Sequence, residues 1–346
     1  RDVERSRGLG DVYKRQVLNR KDRTISHKHF YDIVDLIDKD TLLVMNNTKV
    51  LPARLIGHKD TGAKIEVFLL KQANFQNQGN DCWDVLIKPS KRIKPDTIIK
   101  ISEELSVRAI KRLEENGEWL VELIFEGDNV LEILHRNGNI PLPPYIERKI
   151  PDEDLKKLDF ERYQTVYAKD EGSVAAPTAG LHFTQAILQK LQEKGVELAY
   201  VTLNVGLGTF RPVQCENVLE HKMHSETFEI SEKAAEQINR AKREGKKIIA
   251  VGTTTVRTLE TAFQKFGCIK PCHDHSELFI YPPYEFKVID NLITNFHLPK
   301  STLLMLVSAL AGKDFIFEAY KEAIENKYRF FSYGCLLYTS PSPRDL

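Results

Sequence analysis

Between residues 185 and 267, three stretches of helical period, each closed by a glycine, alternate with short apolar runs. QAILQKLQEKG (185–195) leads into VELAYVTL (196–203). SEKAAEQINRAKREG (231–245) leads into KKIIAVG (246–252), and TTTVRTLETAFQKFG (253–267) follows at once. Alternation over short connections leaves little choice of architecture: strands separated by a helix lie parallel, and helices cover the sheet. Gly195 and Gly245 stand where a helix ends in a left-handed residue, and Ser231 where one begins. TLLVMNN (41–47) reads as a further buried strand. The sequence predicts an α/β fold with a mainly parallel sheet and flanking helices.

Residues 62–148 have another texture. GAKIEVFLLKQ, CWDVLIKP, TIIKISEELSVRAIKRL and EWLVELIFEG are short β-rich runs separated by Asn77–Asn80, Pro95-Asp96 and Asn116-Gly117. Such spacing suits a small antiparallel barrel. The expected organisation is a discontinuous α/β catalytic domain (17–61 and 149–334) carrying an inserted β-barrel domain (62–148).

The ends stand apart. SRGLGDVYKRQ (6–16) and CLLYTSPSPRD (335–345) read as opposite-strand translations of one sequencing adapter, so residues 1–16 and 335–346 are set outside fold reasoning. Residues 1–16 carry a charge of +2, which turns the overall +1 into −1 for the remainder. Bulk charge thus announces no nucleic-acid partner; a local basic patch is needed. No run approaches the roughly 18 apolar residues of a membrane span. Five cysteines suit a reducing cytoplasm better than a disulfide scaffold.

Five stretches break local rules. AAPTAGLHFT (175–184) carries no formal charge in a chain with 29% charged residues. A helix start at Thr178 would offer free N–H groups to an anion, Ala179 and Gly180 would admit a ligand to the backbone, and the dipole would keep His182 neutral. VGTTTVRTLE (251–260) is a second anion-ready start, with Thr253, Thr254, Thr255 and Arg257. NVGLGTFRPV (204–213) has Gly206 and Gly208 but fails the dinucleotide fingerprint. NFHLPKSTLLMLVSAL (295–310) sets Asn295, His297 and Lys300 before an apolar helix. GNIPLPPYIER (138–148) and FERYQTVYA (160–168) interleave Tyr145, Tyr163 and Tyr167 with Arg148 and Arg162, which suits unpaired nucleotides. A basic run, Lys88, Lys91, Arg92 and Lys94, lies in the β block. Each stretch also has a plainer reading as helix entry, packed histidine, hinge or solvated edge. CIKPCHDH (268–275) lacks the long spacer of zinc ligand pairs and reads as a polar surface loop.

Taken together, AAPTAGLHFT, LNVGLGTFRPV, HKMHSE (221–226), VGTTTVRTLE and LITNFHLPKSTLLMLVSAL resemble the S-adenosylmethionine:tRNA ribosyltransferase-isomerase family of queuosine biosynthesis. NNTKVLPARL (46–55), PLPPYI and RYQTVYA do so too. The likeness runs in order over Val17–Gly334. It implies transfer and isomerisation of the ribosyl part of S-adenosylmethionine onto 7-aminomethyl-7-deazaguanine at the tRNA wobble position, giving epoxyqueuosine-tRNA, adenine and methionine. It also implies an α/β domain with an inserted barrel. Three departures stand out: the segment before the SRLL-like stretch is replaced by adapter, so are the residues after FFSYG, and Pro283 stands where glycine is expected.

That reaction asks for acid–base work at a sulfonium-activated carbon, worth roughly 10²–10⁴-fold per well-placed group. His182 is the first choice as base, then His297 and His224; Lys300 or Arg257 would offset negative charge. Thr178, Ala179, Gly180, Gly206, Gly208, Thr253, Thr254, Thr255 and Asn295 are the expected substrate contacts. Lys88, Lys91, Arg92, Tyr145, Arg162 and Tyr167 are the expected tRNA contacts. The donor is a substrate; no resident cofactor or metal is expected, and a cytoplasmic monomer acting on a tRNA anticodon loop is. The alternatives are an S-adenosylmethionine-dependent RNA methyltransferase and a non-catalytic RNA-binding protein.

Overall fold

The computed structural model describes residues 14–73, 81–113, 117–143, 146, 153–206, 221, 223–329 and 335–340. They divide into two units, one drawn from Arg1–Lys49, Gln164–Asp170 and Ala176–Leu346, the other from Val50–Tyr163 and Glu171–Ala175.

The larger unit is built on a nine-stranded sheet. Its order is Cys272–Ser276, Glu226–Ile230, Glu197–Leu203, Thr41–Asn46, Lys247–Val251, Asn291–Asn295, Leu336–Ser340, Lys14–Asn19, Thr24–His29. The four strands from 197–203 to 291–295 run parallel. Both flanks are antiparallel apart from the parallel pairing of 14–19 with 336–340. The sheet is therefore mixed, not mainly parallel.

The parallel centre follows from its sequence. All six residues of Thr41–Asn46 are buried, as expected of a continuous apolar strand covered on both faces. The helix Gln185–Glu193 covers one face through Ile187, Leu188 and Leu191, which share a core with Leu43, Met45, Val251 and Ile293. The helices Glu232–Arg243 and Thr253–Phe266 pack on the same strands. Ser231 caps its helix by accepting from Ala234 N at 3.3 Å, and Gly195 and Gly245 take the left-handed conformation expected of helix ends.

One expectation is corrected at the edge of the sheet. CIKPCHDH is not a loop throughout: Cys272–Ser276 forms the outermost strand, paired with 226–230. Residues 14–16 and 336–340, set aside as adapter-derived, lie in strands, with Arg15 paired to Leu336 and Leu336 to Asn295.

The smaller unit holds a closed six-stranded barrel. Its strands, in barrel order, are Trp119–Phe125, Cys82–Lys88, Lys64–Ala73, Arg54–His58, Ile98–Lys100 and Leu105–Arg112. The strand 54–58 precedes position 62, where the sequence suggested the insert begins. Alternation fills the interior: Ile65, Val67 and Leu69, and Val107 and Ala109, are fully buried. Closure brings His58 opposite Lys100. There a Cβ on Gly57 would lie 2.5 Å from the Lys100 carbonyl oxygen, so only glycine fits.

Candidate active site

The four parallel strands end together, and their carboxyl ends are where α/β sheets bind ligands. Asn46, at the end of 41–46, stitches this edge. Its Nδ2 donates to the Leu203 carbonyl at 3.0 Å and to Thr254 Oγ1 at 3.3 Å. Its Oδ1 accepts from Leu203 N and Thr48 N. Thr48 Oγ1 in turn donates to Asn204 Oδ1 at 2.8 Å. Amides and hydroxyls thus stitch this edge, and the Asp170 carboxylate beside them accepts from Asn47 Nδ2 at 2.8 Å and Thr202 Oγ1 at 3.2 Å. Sequence reasoning missed Asn46, Thr48 and Asn204, although three polar residues closing an apolar strand were the available signal.

The two uncharged turns meet here. A methyl group on Gly252 would lie 3.9 Å from the Ala179 Cβ. Gly252 itself has φ +86°, which lets the chain turn from strand 247–251 into the helix Thr253–Phe266. Thr178 Oγ1 donates to Asn295 Oδ1 at 2.9 Å, joining the first turn to the end of strand 291–295. Thr178 does not start an α-helix, however. Residues 178–182 make a 3-10 turn, and the helix begins at Gln185, capped by Thr184. Thr184 lies one residue beyond the buried Phe183, so the apolar anchor, not the first hydroxyl, sets the helix start.

His182 is buried at the end of that turn. The Arg15 guanidinium donates to its Nδ1 at 3.0 Å and covers the Phe30 ring, 4.4 Å from its centroid. Burial first, and then the Arg15 charge, hold the imidazole well below its ordinary pKa. His182 is neutral, through burial rather than a helix dipole.

The other candidates are dispersed. His297 Nε2 contacts Thr294 Oγ1 at 2.9 Å, and its backbone N–H donates to the Tyr320 hydroxyl. Burial pushes its pKa down to about 3. Strand alternation puts Thr294 and Asn295 on opposite faces, so this ring is held away from the Thr178–Asn295 contact. Lys300 is exposed, with φ +58°. His224 is half-buried in the approach to strand 226–230.

Arg257 lies on no solvated face: it is 4% exposed. It is ion-paired with Glu226 and donates to the Ser276 and Leu278 carbonyls at 3.3 Å each. Glu226 also accepts from Gly206 N at 3.1 Å. Arg257 therefore ties a helix to two strands and a loop. Among the threonines, Thr255 Oγ1 turns back to the Val251 carbonyl at 2.7 Å, leaving Thr253 and Thr254 at the edge.

Of the expected RNA contacts, Lys88, Lys91 and Arg92 are exposed on the barrel unit, as is Lys94. None of the four has an ion-pair partner among the described residues. Arg162 is half-buried at the end of helix Glu153–Arg162. Tyr163 is fully buried, and Tyr167 packs on Tyr200 with its hydroxyl buried, so neither suits a stacking platform. Gly208, Tyr145 and Arg148 lie outside the described residues. No helix of the described residues is long and apolar enough to cross a membrane.

Known proteins resemble this chain throughout. Residues 13–338 match the family model described as "Queuosine biosynthesis protein". An S-adenosylmethionine:tRNA ribosyltransferase-isomerase of Clostridioides difficile is 50% identical over 319 residues, covering 92% of this chain and 90% of that protein. One from Acetivibrio thermocellus is 52% identical over 327 residues, covering 94% and 92%. The crystal structure of an S-adenosylmethionine tRNA ribosyltransferase from Thermotoga maritima aligns with TM-score 0.52 at 34% identity, covering 96% of this chain and 94% of that one.

Proposed function

The chain belongs to the queuosine biosynthesis protein family, and from that membership we infer that it is an S-adenosylmethionine:tRNA ribosyltransferase-isomerase. Identity of 50–52% over more than nine-tenths of both chains carries this reading. The enzyme moves the ribosyl group of S-adenosylmethionine onto 7-aminomethyl-7-deazaguanine in a tRNA anticodon loop and releases adenine and methionine. The donor is consumed, so it is a substrate rather than a resident cofactor. The reading has the enzyme working as a monomer in the cytoplasm.

The edge described above suits this chemistry. A base removes a proton made acidic by the adjacent sulfonium, the glycosidic bond breaks to release adenine, a neutral amine attacks, and the carbon–sulfur bond breaks to release methionine. A general base must be unprotonated, and burial keeps the His182 imidazole so; its Nδ1 lone pair is taken up by Arg15 and becomes available only when that contact is released. Thr178, Ala179, Gly180, Thr253, Thr254 and Asn295 would hold the donor with neutral groups and backbone N–H. His297, His224 and Lys300 stand behind His182 as acid–base candidates.

The deciding experiment incubates the protein with donor and precursor-bearing tRNA and resolves the products by mass. Adenine, methionine and epoxyqueuosine-tRNA are expected. S-adenosylhomocysteine would identify a methyltransferase instead, and an untouched donor a binding protein.

For the RNA side we propose the exposed run at 88–94. Each lysine or arginine that neutralises a phosphate releases condensed counterions, so the slope of log K against log salt drops by roughly 0.7 per contact on single strands. Lys91→Ala/Arg92→Ala is expected to weaken tRNA binding and flatten that slope by about 1.4. Filter binding across a salt series reads this, and an unaltered slope clears both residues.

A further inference from the structure

The RYQTVYA stretch places two hydroxyls beneath the 178–182 turn. Thr165 is 3% exposed, and its Cγ2 lies 2.8 Å from where a Cβ on Gly180 would stand. The Tyr167 hydroxyl overlaps that same point, so it fills the space left by the missing side chain of Gly180. The hydroxyl oxygens of both residues are buried, and neither has a hydrogen-bond partner among the described residues. Native proteins rarely leave such groups unpaired, because the water they lose must be replaced. Packing alone does not explain them, since phenylalanine and valine would fill the same volume.

The location adds a second constraint. Gly180 follows Thr178 and Ala179, which abut Asn295 and Gly252 at the carboxyl edge of the parallel strands. Burial holds the Tyr167 phenol above its ordinary pKa, so it remains a protonated donor at neutral pH. The ring packs against Tyr200 at 5.7 Å between centroids, which fixes the direction of the hydroxyl.

We propose that the Tyr167 and Thr165 hydroxyls form the subsite for the nucleoside half of S-adenosylmethionine, hydrogen-bonding a neutral group, either a ribose hydroxyl or an adenine ring nitrogen. This rests on the reading of the chain as a user of that donor. The methionyl half is a poor fit for the subsite: its carboxylate, ammonium and sulfonium would each need a counter-charge once desolvated. The assignment moves Tyr167 from RNA stacking to donor binding.

The test uses Tyr167→Phe and Thr165→Val in the full chain, with adenosine and L-methionine as separate calorimetric probes. Adenosine affinity is expected to fall about tenfold in each variant, the effect of losing roughly one hydrogen bond in a dry site. L-methionine affinity is expected to stay level, and the KM for S-adenosylmethionine to rise with adenosine's Kd while kcat changes less than about twofold. Thermal midpoints are expected to hold or rise, because each change deletes an unpaired buried group; a purely structural role would move stability and leave the adenosine–methionine contrast untouched. Wild-type affinity for adenosine in both variants overturns the proposal, as does an equal loss for methionine or a wild-type protein that binds no adenosine. Adenine release by the wild type is scored separately, so a failed function and a failed subsite give different results.

Discussion

His182→Ala is expected to cut adenine release from S-adenosylmethionine by about 10²–10⁴-fold while donor affinity changes only a few-fold, the signature of a lost acid–base group. The residue ends the turn whose Thr178 reaches Asn295 and whose Ala179 abuts Gly252, while its own ring packs on Phe30 and accepts from Arg15. Alanine also opens a cavity beside Phe30 and Phe183, so His182→Gln is the control for packing. Single-turnover release of adenine with both variants separates chemistry from binding. Normal turnover in either would remove His182 from the mechanism.

The Arg15 contact refines this. Arginine only donates, so Nδ1 of His182 must be the acceptor and Nε2 must carry the proton. In that state the basic lone pair is covered. Arg15→Ala is accordingly expected to raise the rate if His182 is the base, as proposed; a fall would make Nε2–H a donor to the departing adenine instead. Burial is the larger cause of the depressed pKa, so the imidazole stays neutral without Arg15. Stability carries the same sign. Below about pH 6.5 the unfolded chain protonates His182 and His297, while the folded one refuses the proton down to much lower pH, near 3 for His297. Both residues therefore withdraw stability as pH falls below 6.5 and contribute none of it above.

The sequence made the centre of the sheet legible and hid its margins, for a physical reason. Strands buried on both faces must be apolar throughout, so TLLVMNN and KKIIAVG announce themselves. An edge strand satisfies only one neighbour and one packed face, so CHDHS at 272–276 carries polar residues and reads as a loop. The candidate site was legible to a similar depth. Small uncharged residues with proline mark a backbone that must be approached closely, and 175–184 was found that way. Its partners were not: Thr178 meets Asn295 across 117 positions, and Tyr167 meets Gly180 only through a missing Cβ. The burial of Arg257 was not legible because a helix period does not say which of its faces is covered; its carboxylate, Glu226, lies 31 residues away in a segment with no helical signal.

That ion pair sets the second large effect. Arg257 and Glu226 are each 4% exposed. Removing either partner leaves a charge stranded in the interior, so Glu226→Ala or Arg257→Ala is expected to cost about 3–5 kcal/mol. Replacing both with apolar residues, Glu226→Leu with Arg257→Met, strands no charge and is expected to cost far less than the sum of the single changes. Loss of Glu226 also frees Gly206 N, so the 204–206 segment is expected to loosen in Glu226→Ala more than in Glu226→Gln, which keeps an acceptor. Tryptophan fluorescence is the wrong probe, because both tryptophans, Trp83 and Trp119, belong to the barrel unit. Amide hydrogen exchange on strands 226–230 and 272–276 reads the right region: faster exchange in the single variants and near-normal exchange in the double variant are expected. Single variants that retain wild-type protection but lose adenine release would restore Arg257 to the role suggested by its sequence, a cation acting on the substrate.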